Sequence, residues 1–380
     1  MIDLAGLRVT LLAGTLGQGG SERQLYYAAA TLRRAGASPQ VLSLTKEEFW
    51  EDPLRDLGVP VTWVGVRPGR AARLAAVARA AARHRPDLLQ SFHFYANPYA
   101  AMAARMLRIP DLGAVRSSGT ADLASVGGLL GKMCLRLPRL LVANSEAAID
   151  NLLRMGVSRQ RLWLLPNVID TAAFAPAMPL DPSRPFTVAA VGRLVPQKRF
   201  DRAIRVIASL GARLERKVQL VIAGDGPQRA ALDAIVADHG LGDRVTFTGV
   251  LADIRPVLQR ADCLLLTSDY EGTPNVILEA MALGRPVVAT DVGGIRRIVE
   301  PSQTGLLAPP DDEAALCAAL AHIAEDPALA QYLGAQARLR VERFHSLSRL
   351  SDNLRLLYGE VLPGHARGPA PVPVPPGRGE

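Results

Sequence analysis

Two cationic and two acidic side chains in the second half of the chain lie among glycines and prolines. They are Arg193 in Gly192-Arg193-Leu194, Lys198 in Pro196-Gln197-Lys198, and the ends of Glu271-Gly272-Thr273-Pro274-Asn275-Val276-Ile277-Leu278-Glu279. Arginine and lysine supply the fixed positive charge a diphosphate needs, and carboxylates accept hydrogen bonds from neutral hydroxyls. Thr273-Pro274-Asn275 puts an N-cap before a proline at the first helical position, so a helix is expected here with its positive end toward the ligand. Glu279 then lies one turn inside that helix, and Glu271 approaches from the preceding loop. The four groups suit a ligand with hydroxyls at two places and a diphosphate between them.

These residues need strands to deliver them. Short β-branched and leucine-rich runs alternate with alanine- and arginine-rich segments, a βαβ rhythm that predicts α/β architecture with parallel sheets. Strands are expected at 7–13, 39–44, 61–64, 88–91, 113–115, 140–143 and 162–165, with helices such as 21–35, 69–84 and 146–155. Prolines at 166, 176, 179, 182 and 185 mark a linker over 171–185. The rhythm restarts with strands at 187–191, 218–223, 244–247, 263–267, 286–289 and 305–307. Two domains follow, 1–170 and 186–345, then a helix over 346–362 and a Pro/Gly-rich tail, 363–380, expected to be disordered. In the second domain Gly192-Arg193, Gly224-Asp225-Gly226-Pro227, Thr248-Gly249, Ser268 to Gly272 and Gly293-Gly294 all follow strands. Any one such loop is ordinary turn chemistry. Together they point at the carboxyl edge of one open sheet, where ligands bind.

Composition narrows the class. A chain of 380 residues with 49% hydrophobic content can bury two cores. The apolar run 9–13 is too short for a secretory signal, and the uncharged stretch 88–104 is too polar to span a membrane, so a cytoplasmic protein is expected. Cys134, Cys263 and Cys317 lie far apart without metal-ligand spacing and read as buried thiols; no metal site is expected. Residues 1–180 carry 21 basic against 13 acidic side chains, and 181–380 carry 23 of each. That excess suits an acidic partner, or is a solvated face in a chain whose basic residues are mostly arginine.

Gly192-Arg193-Leu194, Pro196-Gln197-Lys198, Gly224-Asp225-Gly226-Pro227 and the Glu271 to Glu279 segment resemble, in order and spacing, the GT-B glycosyltransferases of family 4. So do Gly17, Gly19 and Gly20 with Glu22, Asn144-Ser145 and Pro166-Asn167-Val168-Ile169-Asp170, and the likeness runs through residues 5–345. It implies two Rossmann-like domains facing each other across a cleft, and a retaining enzyme whose donor is a nucleotide sugar, UDP-linked by default, with no cofactor. Arg193 and Lys198 would hold the donor phosphates and stabilise the departing nucleotide. Glu279 would take the ribose hydroxyls and Glu271 the sugar hydroxyls, with the backbone at Gly272, Thr273, Asn275 and Val276 near the phosphate. Gly192, Gly224, Asp225 and Gly226 join the donor-binding set, and the amides at Gly17, Gly19 and Gly20 would approach the diphosphate. His93 matches the position of a histidine set against the transferred sugar. The absence of Asp-x-Asp agrees with basic side chains neutralising the diphosphate. Two departures are Arg199, where the family carries a small residue or asparagine, and Phe344-His345-Ser346-Leu347, where a tryptophan commonly follows the phenylalanine just before the last helix, 346–362, which the resemblance expects to pack back on the first domain.

The first domain selects the acceptor in this architecture. Arg116 and Ser117, with Ser118, stand at a strand end and are the acceptor-side candidates. The stretch 126–141, apolar with basic punctuation, reads either as a core helix followed by a strand or as a segment resting on an anionic membrane near a lipid-linked acceptor. The expected acceptor is a saccharide or a lipid-linked one, in the building of cell-surface polysaccharide or glycolipid. Among rival readings, a nicotinamide-dependent oxidoreductase lacks its G-x-G-x-x-G. A nucleotide-sugar epimerase of the same two-lobed build would convert donor without acceptor, which proton NMR of the donor detects. Nucleic acid is not an expected partner, because aromatics make up 5% of the chain and the basic residues are not clustered.

Overall fold

Strands buried on both faces keep no polar alternation, and the near-continuous apolar runs of this chain fold that way. The computed structural model describes residues 2–65, 69–117, 119–176, 181 and 183–362. Among them are two wholly parallel sheets. The first contains β1 (Arg8–Ala13), β2 (Ser38–Ser43), β3 (Val61–Trp63), β4 (Leu88–Ser91), β5 (Asp111–Val115), β6 (Leu140–Ala143) and β7 (Leu162–Leu164), in the order β3-β2-β1-β4-β5-β6-β7. The second contains β8 (Phe186–Val191), β9 (Val218–Ala223), β10 (Val245–Gly249), β11 (Cys263–Leu266), β12 (Val287–Thr290) and β13 (Leu306–Ala308), in the order β10-β9-β8-β11-β12-β13. Each strand falls on a segment expected from the sequence, with ends displaced by a residue or two. In each sheet the order reverses beside the first strand, between β1 and β4 and between β8 and β11. Loops leaving those strands part there, which makes each reversal a natural place for a ligand.

The chain divides into two compact units. One comprises Met1–Val168 together with the chain from Leu347, and the other is Ile169–Ser346. The terminal helix Leu347–Val361 buries Leu350, Leu354, Leu357, Tyr358 and Val361 in the core of the first unit, and Tyr358 Oη donates to Gln90 Oε1 at 2.8 Å. The last described helix therefore stabilises the half of the chain that begins it.

Part of the segment read as a linker is folded instead. Phe174 is buried in the second unit's core, and Arg338 Nη1 donates to Phe174 O at 2.7 Å. Proline density marks irregular backbone, and a single buried aromatic is enough to tie such backbone down. Residues 177–180, 182 and the 363–380 tail lie outside the described residues. A second correction concerns the site helix, which runs Asn275–Ala282 with the extended Pro274 (φ −70°, ψ 117°) at its N-cap, one residue later than expected. The stretch 126–141 forms the helix Gly128–Arg136 followed by β6, with Cys134 and Leu135 buried and Leu129 76% exposed.

Candidate active site

The second unit assembles its polar groups across the β8/β11 reversal. Behind β8, Gly192 N donates to Ala223 O at 3.0 Å and Leu194 N to Asp225 O at 2.9 Å, tying that loop to the one after β9. The tie is so close that a Cβ on Gly224 would stand 1.9 Å from Gly192 O. Only a glycine allows it. Across the reversal, Asp269 N donates to Gln197 O at 2.9 Å and Gln197 Nε2 to Tyr270 O at 2.8 Å. Thr267 Oγ1 is within 3.1 Å of Lys198 O and 2.8 Å of Arg199 O. The loops after β8 and β11 are thus zipped together by backbone and short side chains before any ligand is considered.

That zip brings two of the four expected groups into contact. Lys198 Nζ lies 2.5 Å from Glu271 Oε1, and Ser268 Oγ donates to the same oxygen at 2.7 Å. Side-chain exposures of 19% and 8% mean that each charge offsets much of the other's loss of water. Glu279 is buried in its helix at 2% exposure, with Val276 and Thr273 buried beside it, Gly272 buried and Asn275 half-buried. Asp225 is exposed and accepts from Gly226 N at 2.8 Å. Arg193 is not drawn into the pair. It is exposed, its carbonyl accepts from Val195 N at 2.8 Å, and its side chain makes no hydrogen bond or ion pair among the described residues, which leaves the guanidinium available to an incoming anion.

A charged cluster supports this loop from behind. Arg199, in the left-handed region at φ 50°, pairs with Asp201 and Asp269 at 3.1 Å, so its charge is spent on the fold and not added to the site. Arg202, 1% exposed, donates to Thr267 O at 2.9 Å and pairs with Asp269 at 3.2 Å and with Asp311. The sequence places Ser268 in the loop cluster after β11 without giving it a role, and Arg202 goes unmarked; only the contacts reveal the part each plays.

In the first unit the β1/β4 reversal is bridged by His93. Its Nδ1 accepts from Gly14 N at 3.0 Å, so Nδ1 carries no proton and Nε2–H donates to Glu22 Oε1 at 3.0 Å. Both ring nitrogens are occupied, and a hydrogen bond from either to a sugar has to displace one of these partners. In the glycine-rich loop, Gly17 N donates to Thr15 Oγ1 at 3.2 Å and Gly19 N to Gly17 O at 2.9 Å, so these two amides close the loop on itself. Gly20 opens the helix Gly20–Arg34. Glu48, not singled out in the sequence, binds Thr15 Oγ1 at 2.8 Å, the Leu16 amide and Thr45 Oγ1. Burial pushes the Tyr95 hydroxyl, 5.7 Å from His93 between ring centres, up to about 12, reinforced by Glu22 and Glu48.

The acceptor-side candidates follow β5. The Arg116 guanidinium lies 4.9 Å over the Phe92 ring, and Asn144 Nδ2 donates to Arg116 O at 3.1 Å. Ser117 N donates to Asp122 Oδ2 at 3.0 Å. Ser118 lies outside the described residues. Among the described residues no three His, Cys, Asp or Glu side chains group as metal ligands.

Comparison with known proteins follows the same division of the chain. Residues 18–173 match the model described as Glycosyltransferase Family 4, and residues 185–326 that described as Glycosyl transferases group 1. Alpha-D-kanosaminyltransferase of Streptomyces kanamyceticus is 35% identical over 173 residues, 45% of each chain. Glycogen synthase of Mycobacterium tuberculosis is 29% identical over 268 residues, 68% of this chain and 64% of that one. The matches therefore span about half the length of these relatives. Among solved structures, Anabaena HepE in complex with UDP-glucose superposes with a TM-score of 0.80 at 22% identity, covering 93% of this chain and 99% of that one. Sucrose-phosphate synthase of Thermosynechococcus elongatus gives 0.75 at 23% identity, covering 92% and 98%. These likenesses establish the architecture, two parallel-sheet domains of GT-B type. With one glycosyltransferase model matching within each half and that architecture in both, the chain belongs to family 4 of the GT-B glycosyltransferases.

Proposed function

We propose that the protein transfers a hexose from a nucleotide sugar, with UDP as the default carrier, to a hydroxyl of a saccharide or lipid-linked acceptor. The transfer retains anomeric configuration, needs no metal, and serves cell-surface polysaccharide or glycolipid synthesis on the cytoplasmic side. The observation that carries this reading is the Lys198–Glu271 pair at 2.5 Å, held at a sheet reversal beside glycines that let backbone approach closely. An arriving diphosphate competes with Glu271 for Lys198 and draws on exposed Arg193. Glu271, released, turns to the sugar hydroxyls, and Glu279 serves the ribose. In the transfer the acceptor oxygen attacks the anomeric carbon from the leaving-group side as the bond to the diphosphate breaks. The acceptor proton passes to a departing phosphate oxygen, so no protein base is required. Relatives named as glycosyltransferases favour transfer over epimerisation of the donor.

The test has two stages. Thermal shift with UDP, GDP and ADP should identify the carrier, because ligand at a hundredfold over Kd stabilises by about 2.7 kcal/mol. With the matching donor, Glu271→Ala should lose about 2 to 4 kcal/mol of transition-state stabilisation while nucleotide affinity stays near parental. Lys198→Ala should lose both affinity and turnover, and EDTA should leave the parental rate unchanged. A Glu271→Ala enzyme with near-parental kcat would refute the assignment.

Contact of the first unit with an anionic membrane is part of the same reading. The helix Gly128–Arg136 exposes Leu129, Lys132 and Arg136, and the helix Asn97–Leu107 packed near it exposes Met102, Arg105 and Met106. Co-sedimentation with anionic vesicles tests it.

A further inference from the structure

We propose that Arg116 is the receptor for an anionic group, a phosphate or a carboxylate, carried by the acceptor. This rests on the glycosyltransferase reading and adds a substrate class to it. The Nε and Nη2 atoms of Arg116 are buried and have no hydrogen-bond partner among the described residues. They are the two N–H groups of one edge of the guanidinium, parallel donors spaced to meet two oxygens of a single carboxylate or phosphate.

Other arginines sunk in this fold spend most of their donors on the protein: Arg202 and Arg285 each leave a buried Nε without a partner, but among the described residues Arg116 alone leaves two donors idle. Arg202 uses Thr267 O, Asp269 and Asp311. Arg340 uses Ile298 O at 2.9 Å, Arg297 O at 2.9 Å and Glu300 at 3.1 Å. Arg161 collects the carbonyls of Leu135, Arg136 and Pro138. Arg116 has only the face of Phe92 beneath it. The nearest acidic side chain acting on it, Asp122, has Oδ2 committed to the amides of Ser117 at 3.0 Å and Gly119 at 3.1 Å. Burial accordingly lowers the Arg116 pKa to about 10, partly offset by Asp122. A buried cation with an idle two-pronged edge is costly to a fold, and a ligand anion removes that cost.

The position fits an acceptor. Arg116 directly follows β5, and Phe92 directly follows the neighbouring β4 and precedes His93, so the guanidinium lies on the same sheet edge as the histidine. Asn144, behind β6, fixes the Arg116 carbonyl and leaves the side chain's position defined by Phe92. The residue as a whole is half-buried, and these two nitrogens are among its shielded atoms.

The experiment is a thermal titration of the full chain with UDP saturating, so that the donor-phosphate site is filled, using inorganic phosphate in one arm and glucuronate in the other. A saturable rise in Tm in the phosphate arm marks a phosphorylated acceptor, and one in the glucuronate arm marks a uronic acid. Arg116→Gln should abolish that rise and leave UDP's own shift intact. Arg116→Lys, which keeps the charge without the fork, should weaken the anion's affinity about tenfold. Arg116→Met without ligand should melt no lower than the parent, because there are no protein hydrogen bonds to lose; a purely structural arginine would make that variant less stable. No rise with either anion, or a rise that survives Arg116→Gln, overturns the proposal. Should UDP itself give no shift, the donor reading fails separately, and the same two arms without UDP still decide Arg116.

Discussion

Glu48 gathers the Thr15 hydroxyl at 2.8 Å, the Thr45 hydroxyl and the Leu16 amide around one carboxylate at the base of the glycine-rich loop. Burial by itself raises its pKa, but the bonds from Thr45, Leu16 and Thr15, with His93 nearby, outweigh burial and hold it below its ordinary value of 4.5. The folded protein therefore binds this proton less readily than the unfolded chain. The stabilisation is complete above the ordinary value and is lost as pH falls through the lower, folded value. Glu48→Gln should cost about 1 to 2 kcal/mol near neutral pH, from weakened charge-assisted bonds. Urea melts should show that gap closing as pH drops below 4.5; a gap of constant size down to strongly acid pH would disprove it. Glu271 and Lys198 were legible in the sequence because their neighbours form recognisable blocks. Glu48 sits in Lys46-Glu47-Glu48, an ordinary charged run, and its partners Thr15 and Leu16 are over thirty residues away. Arg199 misleads in the opposite sense, since a charge beside the site in sequence is neutralised by Asp201 and Asp269 in space.

The loops after β11 and β12 approach closely at Gly293, beside bonds from Gly294 N to Glu271 O at 3.4 Å and from Thr290 Oγ1 to Ser268 O at 2.6 Å. Gly293 has φ +56°, and a Cβ there would stand 1.9 Å from Glu271 O. Gly293→Ala should push the Glu271 loop away, at a cost of about 1 to 3 kcal/mol in stability for the forced backbone shift. Because a displacement of about 1 Å in a catalytic group can cost on the order of a hundredfold in rate, kcat should fall more than the Tm change suggests. A variant with parental kcat would mean that this contact does not position Glu271. Strands were legible as apolar runs, since β11 and β12 are buried along their whole length. The site helix was displaced by one residue, because Thr273 and Pro274 are both plausible at a helix entrance and packing of the loop selects between them. Strand order was not legible at all. It depends on which face each crossover helix packs against, and that is a property of distant partners.

Over the whole chain the excess of positive charge belongs to residues 1–180, and part of it has a definite place. The helices Asn97–Leu107 and Gly128–Arg136 contain no acidic residue, and they expose Met106 at 65% and Leu129 at 76% beside Arg105, Lys132 and Arg136. Apolar tips among cations suit an anionic bilayer surface, each cation near it contributing about 1 kcal/mol. Among the described residues no helix is long and apolar enough to cross a membrane, so the contact would be peripheral. The protein should co-sediment with phosphatidylglycerol vesicles at low salt and leave them at high salt, and Leu129→Asp with Lys132→Glu should release it. Equal recovery with neutral and anionic vesicles would count against this surface. The proline-rich stretch after β7 was legible as a break between domains, and the return of the terminal helix to the first domain followed from the family resemblance, but the burial of Phe174 in the second unit was not legible.

By itself the sequence determined the strands, their alternation with helices, and the donor-side blocks, because apolar run length and turn residues act over a few neighbours. Tertiary structure decided what could not be local. It joined Lys198 to Glu271 across seventy-three residues, occupied both nitrogens of His93, turned Arg199 into a support and left Arg116 with an idle edge. Whether a polar group has a partner depends on the free energy of everything packed around it, and that is settled only when distant segments have closed together.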